Sequence, residues 1–316
     1  MTFILRTSIV FTAFFHVLVI AAIPSELPDE TSGVLIMAHG GEKNWNSALQ
    51  KAVLPLKTFC PVEIAFGMAQ RDPIQQAINR LEAQSVKKIA VVRVFISAES
   101  FRHQTEYLLG LRPDPPEKFL AHHSHLSGHS PASQIQFLNS DLAPPPVRRN
   151  SIIALNQEGL SDSERMRQVI EERVRSLSSS PANESVLVLA HGEGDDKINR
   201  LWLSKLKTLI APIRHLETFQ AVRVETLRED WQKKRERAEK QIRKFVQQQN
   251  LIGNNVIVVP FRVFGFGPYR RVLEGLDYVS NGLGLLPHPQ VTRWIQEQAT
   301  QCLAQIGGSN PFRDER

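Results

Sequence analysis

The sequence predicts an α/β protein of two similar lobes, each a parallel sheet covered by helices. Three observations predict it. The stretch "VLIMAHGGEK" at 34–43 is nearly repeated as "VLVLAHGEGD" at 186–195. Short apolar runs alternate with helical-period stretches in both halves. The order of these stretches also repeats, as strand, helix, strand, helix, strand, which is the pattern of βαβ units with right-handed crossovers. One Ala-His-Gly after an apolar run would carry little weight; two in the same local context point to an internal duplication with a histidine at a strand end in each half.

The elements follow in order. Met1 to Arg6 carries one positive charge, Thr7 to Ile23 is apolar apart from Thr, Ser and His16, and Pro24-Ser-Glu-Leu-Pro-Asp-Glu begins a polar linker. Residues 1–25 are therefore expected to be a signal peptide or an N-terminal anchor, because the run is shorter than the roughly 20 residues a spanning helix prefers. Export or membrane attachment is the expected localisation, with a cytoplasmic chain as the alternative. The first lobe is expected over 32–181. It holds the strand runs "GVLIMAHG", "PVEIAFGMA" and "KKIAVVRVFIS", the helix "DPIQQAINRLEAQSV", and a late strand and helix, "SIIALN" and "SERMRQVIEERVRSL". The stretch 112–150 breaks this pattern, being rich in Pro, His and Ser, and is expected to be a long surface insertion. The second lobe, over 182–307, repeats the order with "SVLVLAHG", "AVRVETLRED", "RAEKQIRKFVQQQN" and "NNVIVVPFRVFG". It closes with "YVSNGLGLL" and "QVTRWIQEQATQCLAQI".

Composition bounds the function. With 316 residues, 42% hydrophobic and 22% charged, the chain is globular and long enough to bury a large core. Lys and Arg number 38 against 32 Asp and Glu, a net +6 that favours acidic partners. Nucleic acid would need that charge clustered. The densest run, "WQKKRERAEKQIRKF" at 231–245, reads as a solvated helix face, so no nucleic-acid partner is expected. Cys60 and Cys302 are too few for a thiolate metal site, although a single bridge between them is open to an exported chain. Nucleotide chemistry is disfavoured, since no G-x-G-x-x-G follows the first strand and no P-loop lysine pattern exists. A serine hydrolase lacks its G-x-S-x-G elbow.

In open parallel sheets ligands collect outside the carboxyl ends of the strands, which is where His39 and His191 stand. The glycine after each lets the backbone turn sharply and a flat ligand approach the main chain. Neutral imidazole ligates Co, Fe, Ni and Zn, and also exchanges protons near neutral pH. Both roles suit metal insertion into a macrocycle, where ring N–H protons leave as the metal enters.

These corners, with "VVRVFISAESFRHQTEYLLGL" and "GLDYVSNGLGLLPHPQVTRWIQEQ", resemble the sirohydrochlorin cobaltochelatase family of class II chelatases in its long, duplicated form. The resemblance covers most of 33–305 except the insertion. It implies two Rossmann-like halves with parallel sheets, a tetrapyrrole held in the cleft between them, and ATP-independent insertion of Co²⁺, or Fe²⁺ or Ni²⁺, with no nucleotide. It also implies a monomer, because the duplicated chain contains both lobes. The family places metal-binding histidines after the first and third strands of one half. His39 matches the first position. At the second, Phe101 stands at the matching place and His103 follows two residues later, so His39 and His103 are the expected catalytic pair. His191 is the third expected metal ligand, and Glu99 is a carboxylate near them by position. The corresponding place in the second half holds Arg270 instead of histidine. Gly40 and Arg270 are the expected contacts to the macrocycle.

Other readings stay open beside these. A histidine at a strand end is often only a hydrogen-bonded residue. His288, between two prolines ahead of a helix, reads as chain punctuation. The cluster His122, His123, His125 and His129 reads either as a loose metal-delivery tract or as a polar loop. Arg71, Arg93, Arg228, Arg262 and Arg270 are candidates to pair with the carboxylates of a tetrapyrrole, or are surface solubility. The alternative function is an exported, non-catalytic metal- or tetrapyrrole-binding protein on the same scaffold.

Overall fold

Seven consecutive residues of β1 (Ser32–Ala38) are buried, because strands flank it on both sides and helices cover both faces. The computed structural model describes residues 31–120, 137–216 and 218–312. After β1 come α1 (Lys43–Val53), β2 (Val62–Phe66), α2 (Arg71–Ala83), β3 (Lys88–Val94) and a short α3 (Arg102–Leu108). Then follow β4 (Lys118–Leu120), β5 (Phe137–Asn139), β6 (Ile152–Leu155) and α4 (Glu164–Leu177). The sheet is parallel, in the order β2-β1-β3-β6. The helices form for the reason the pattern gives. α2 buries Ile74, Ala77, Ile78 and Leu81, spaced by three and four, and α4 is capped by Ser163, whose hydroxyl accepts from the Arg165 amide.

The second half repeats this with β7 (Glu184–Ala190), α5 (Asp196–Leu216), β8 (Ala221–Thr226), α6 (Gln232–Leu251), β9 (Asn255–Phe261), a short α7 (Tyr269–Val272) and α8 (Pro289–Gln305). Its parallel order, β8-β7-β9, matches β2-β1-β3. The α/β class and the paired lobes are those the sequence predicts.

The closing helices are exchanged. α4 ends the first half in sequence but packs on β9 and α5, while α8 ends the second half and packs on β3, β6 and α1. Alternate residues of the central strands make this a shared core. Val34, Ile36 and Ala38 join Val186, Val188 and Trp294 in one cluster between the sheets, whereas Leu35 and Met37 face α2 and Leu187 and Leu189 face α6. Polar ties cross the same boundary: Arg165 pairs with Glu297, Thr292 Oγ1 donates to Ala52 O at 2.8 Å, and Gln298 Nε2 donates to Glu158 at 3.0 Å.

The exchange also fixes direction. α4 leaves the carboxyl end of β6 and finishes where Ser179 N donates to Glu184, the first residue of β7, at 2.9 Å. α8 finishes where Lys88 Nζ, at the start of β3, donates to Gly307 O at 2.8 Å. Each therefore runs from strand ends in one sheet to strand starts in the other, and both sheets present their carboxyl ends to the same side.

The structure adds detail to the insertion and departs from two other expectations. Within the insertion β4 and β5 pair antiparallel, Phe119 is buried edge-on to Tyr107 at 6.1 Å, and Val147 N donates to Leu108 O at 2.8 Å. The late strand of the second half shrinks to two isolated parallel bridges, Val279 with Ile257 and Leu286 with Phe264, because the stretch between them carries two glycines and Gly284 lies against the Arg262 carbonyl. Cys60 and Cys302 are buried free thiols, not a bridge, and burial pushes both up to about 12. Among the described residues no helix is long and apolar enough to cross a membrane. Residues 1–25 and the cluster His122, His123, His125 and His129 lie outside the described residues.

Candidate metal centre at the facing histidine corners

The two Ala-His-Gly corners have the same local geometry. His39 Nδ1 lies 2.8 Å from Gly40 O, and His191 Nδ1 lies 2.8 Å from Gly192 O. A carbonyl only accepts, so Nδ1 carries the proton in both rings. Each glycine has a positive φ, +75° at Gly40 and +83° at Gly192, and a Cβ there would press on Phe66 or Thr226. The glycine thus lets the chain fold back far enough for the carbonyl to meet the ring.

The surroundings of the two rings differ. His39 is exposed, and its Nδ1–H bond leaves the Nε2 lone pair outward. A ring fixed through its other nitrogen by a backbone carbonyl is the usual state of a metal-ligating histidine. His191 Nε2 instead lies 3.2 Å from Asp230 Oδ2 and 4.0 Å from Glu229 Oε2, with Trp231 edge-on at 6.2 Å. A carboxylate also only accepts, so this pairing favours a protonated His191 ring. Burial alone would lower its pKa, but the hydrogen bond to Asp230, the Glu229 charge and the Gly192 carbonyl together raise it. In this arrangement the expected third metal ligand, His191, is paired with carboxylates.

Asp230 closes the second corner. Its carboxyl is held below the ordinary range, first by the hydrogen bond from His191 and then, against burial, by the charges of His191 and Arg262. His39 belongs to the first lobe, and both corners stand at strand carboxyl ends on the same side of the molecule. Glu193, just after the second corner, is raised by burial, which places a carboxyl closer to neutral pH in the same region. Arg262 pairs with Glu229 and lies 5.8 Å above the Tyr269 ring. Glu193, Glu229 and Asp230 escaped the sequence reading. The signal was present in "TLRED", an acidic pair at the carboxyl end of a strand run.

The remaining expected residues are placed as follows. His103 is exposed on the first turn of α3, which starts after Phe101 takes a left-handed φ of 54°. Among the described residues no three His, Cys, Asp or Glu side chains converge on a metal-holding point, so His39, His103 and His191 do not form a three-ligand cage. Glu99 is two-thirds exposed and sits 3.6 Å from Arg102. His288 caps α8, accepting from Gln290 N at 3.2 Å and meeting Glu172 at 2.8 Å, so its punctuation reading holds.

Most of the five arginines are already engaged. Arg93 is 1% exposed and donates to the carbonyls of Ala98, Ser100 and Asn156, which shapes the loop after β3. Arg228 clamps the carbonyls of Glu193 and Gly194 and pairs with Asp196. Arg71 donates to Pro145 O at 2.9 Å. Arg270 stands exposed on α7. Two hollows, about 500 Å³ against β8 and α5 and about 440 Å³ beside the start of β2, lie away from the histidine corners and hold no such donor set.

Two parallel-sheet lobes with exchanged closing helices and a histidine corner in each define a two-lobed, chelatase-type fold. Solved structures of that fold match the chain closely in extent. SirB from Bacillus subtilis, solved with Fe³⁺, is 16% identical over 86% of this chain and 96% of its own, with a TM-score of 0.59. The sirohydrochlorin chelatase SirB from Bacillus subtilis subspecies spizizenii, in complex with cobalt, is 14% identical over the same shares with a TM-score of 0.54. A multi-domain protein from Deinococcus radiodurans, similar in structure to chelatases and carrying two additional novel domains, is 16% identical over 91% of this chain and 56% of its own, with a TM-score of 0.52. No curated protein matches the chain in sequence. By sequence, residues 33–108 match the CbiX family. That match is confined to the first lobe.

Proposed function

We propose that this protein is an ATP-independent chelatase that inserts a divalent metal ion, Co²⁺ or alternatively Fe²⁺ or Ni²⁺, into a tetrapyrrole such as sirohydrochlorin. The observation that supports this most is His39: an exposed ring fixed through Nδ1 at the carboxyl end of β1, on the same side of the molecule as the His191 corner. In the reaction a metal ion enters the macrocycle as two ring N–H protons leave. His39 carries the metal to the ring, and His103 is the nearest expected second ligand in sequence. The Glu193 carboxyl stands just after the second corner, where burial raises it. Arg270, exposed and without a partner among the described residues, suits a macrocycle carboxylate. The Gly40 turn leaves the main chain open to a flat ring.

A second reading, an exported carrier of metal or tetrapyrrole, is supported by the locked His191 corner and by the apolar run before the first lobe. One experiment separates the two. Purified protein is mixed with sirohydrochlorin and Co²⁺, and metallation is followed by absorbance. Multiple turnovers that vanish in His39→Ala support the chelatase; stoichiometric binding with no gain in rate over the free reaction overturns it in favour of the carrier. Sequencing the N-terminus of the chain recovered from an exporting cell tests whether residues 1–25 are removed. Sedimentation of the purified protein tests the expected monomer.

A further inference from the structure

All strands of both sheets start at the end of the molecule opposite the histidine corners, and that end carries an unusual set of exposed apolar side chains. Leu251 and Ile252, where α6 turns toward β9, are 86% and 69% exposed. Leu54 and Phe59, ahead of β2, are 62% and 44% exposed, and Ile152, the first residue of β6, is 53% exposed. Leaving two adjacent aliphatic side chains fully in water at a loop tip is unfavourable unless something covers them.

Exposed bases stand at this end, Lys51, Lys57 and Lys87. Of the carboxylates nearby, Glu63 pairs with Arg80 at 2.6 Å, while Glu82 and Glu184 accept from neutral amides and keep their charge, and Asp277 is exposed beside the tip. Apolar tips set among bases match a surface that is apolar within and anionic at its rim.

The chain itself says what that surface is. Thr31, whose carbonyl accepts from Lys87 N at 2.9 Å, brings the chain into β1 at this same end. The apolar run 7–23 precedes it by eight residues of linker, a tether of at most about 27 Å at extended chain length. We propose that the strand-start end is a bilayer-docking face, seating the chain on an anionic lipid surface with the histidine crevice turned away toward solvent. An apolar run alone tethers the chain in any orientation; the Leu251–Ile252 tip and the lysines set one orientation. This is independent of whether the crevice metallates a tetrapyrrole.

The native thiols are buried and pushed up to about 12 by that burial, so an introduced exposed cysteine is labelled selectively. The full chain carrying Ile252→Cys or Lys197→Cys, the latter exposed on the first turn of α5 at the crevice end, is labelled with an environment-sensitive fluorophore. It is then mixed with phosphatidylcholine vesicles containing phosphatidylglycerol and a quencher-bearing lipid. The expected result is a blue shift and about twofold or greater quenching at position 252 with little change at 197. Equal quenching at both positions, quenching at 197 alone, or no quenching at 252 overturns the proposal. Replacing Lys51, Lys57 and Lys87 by Glu is expected to abolish the preference for position 252 while leaving the protein folded by circular dichroism; an unchanged preference also overturns it.

Discussion

His39 and His191 sit on the same backbone device and do different chemistry. Both rings are fixed by the carbonyl of the next glycine at 2.8 Å. What separates them is the loop after the neighbouring edge strand. After β2 it reads "GMAQR" and offers no carboxylate; after β8 it reads "LREDW" and puts Asp230 and Glu229 on the ring. One of the two like corners keeps a lone pair and the other is spent in an ion pair, which teaches that the strand-end histidine sets the place while its neighbours set the role.

The largest effect that tests this contrast is on turnover. His39→Ala is expected to reduce metallation by at least about 100-fold, while His191→Ala reduces it by less than about tenfold. Comparable losses in steady-state absorbance assays would erase the distinction drawn between the corners. Stability offers the next test. Arg262→Ala strips Glu229 of its partner in a mostly buried setting, and is expected to cost about 2–3 kcal/mol in denaturant unfolding. No equivalent pair exists on the described first-lobe corner, so the asymmetry itself is the prediction.

A smaller difference separates the two glycines. A Cβ on Gly192 would stand 2.6 Å from Thr226 Cβ, against 3.1 Å from Phe66 Cβ at Gly40, both at positive φ. Gly192→Ala is therefore expected to destabilise more than Gly40→Ala, by about 1 kcal/mol beyond the 1–2 kcal/mol that the left-handed backbone costs either variant. Equal denaturation midpoints would mean that the loop after β7 relaxes freely. The smallest effect is in pH dependence. His191 is raised above its ordinary value, so its pairing stabilises fully below about pH 6.5 and is lost as pH rises through the raised value. Asp230 is lowered, so its share is present above the ordinary carboxylate value and lost as pH falls through the lowered one. Stability from this pair should therefore be greatest between the two and decline on the alkaline side, and Asp230→Asn should flatten that decline in urea titrations.

Much of the fold was legible because periodicity and strand burial are local properties. The central strands read as continuous apolar runs since both of their faces are covered, and the helices read by spacing, as in α2. Arg93 was misread for a reason that is also physical: an arginine at a strand end looks like a ligand contact until the loop it holds is seen wrapping around it. The short β4–β5 pair and the loss of the late strand in the second half turn on packing and on glycine contacts that spacing does not encode.

The amino-acid order alone determined the repeated order of elements, the strand-end placement of His39 and His191 and the buried face of each helix, because hydrophobic period and turn chemistry act over a few residues. Tertiary structure decided which closing helix covers which sheet, which histidine keeps a lone pair and which arginines are already engaged. Those depend on groups far apart in the chain, such as Asp230 beside His191, Glu229 beside Arg262 and the carbonyl of Gly307 on Lys88, that meet only when the two lobes are assembled around one core.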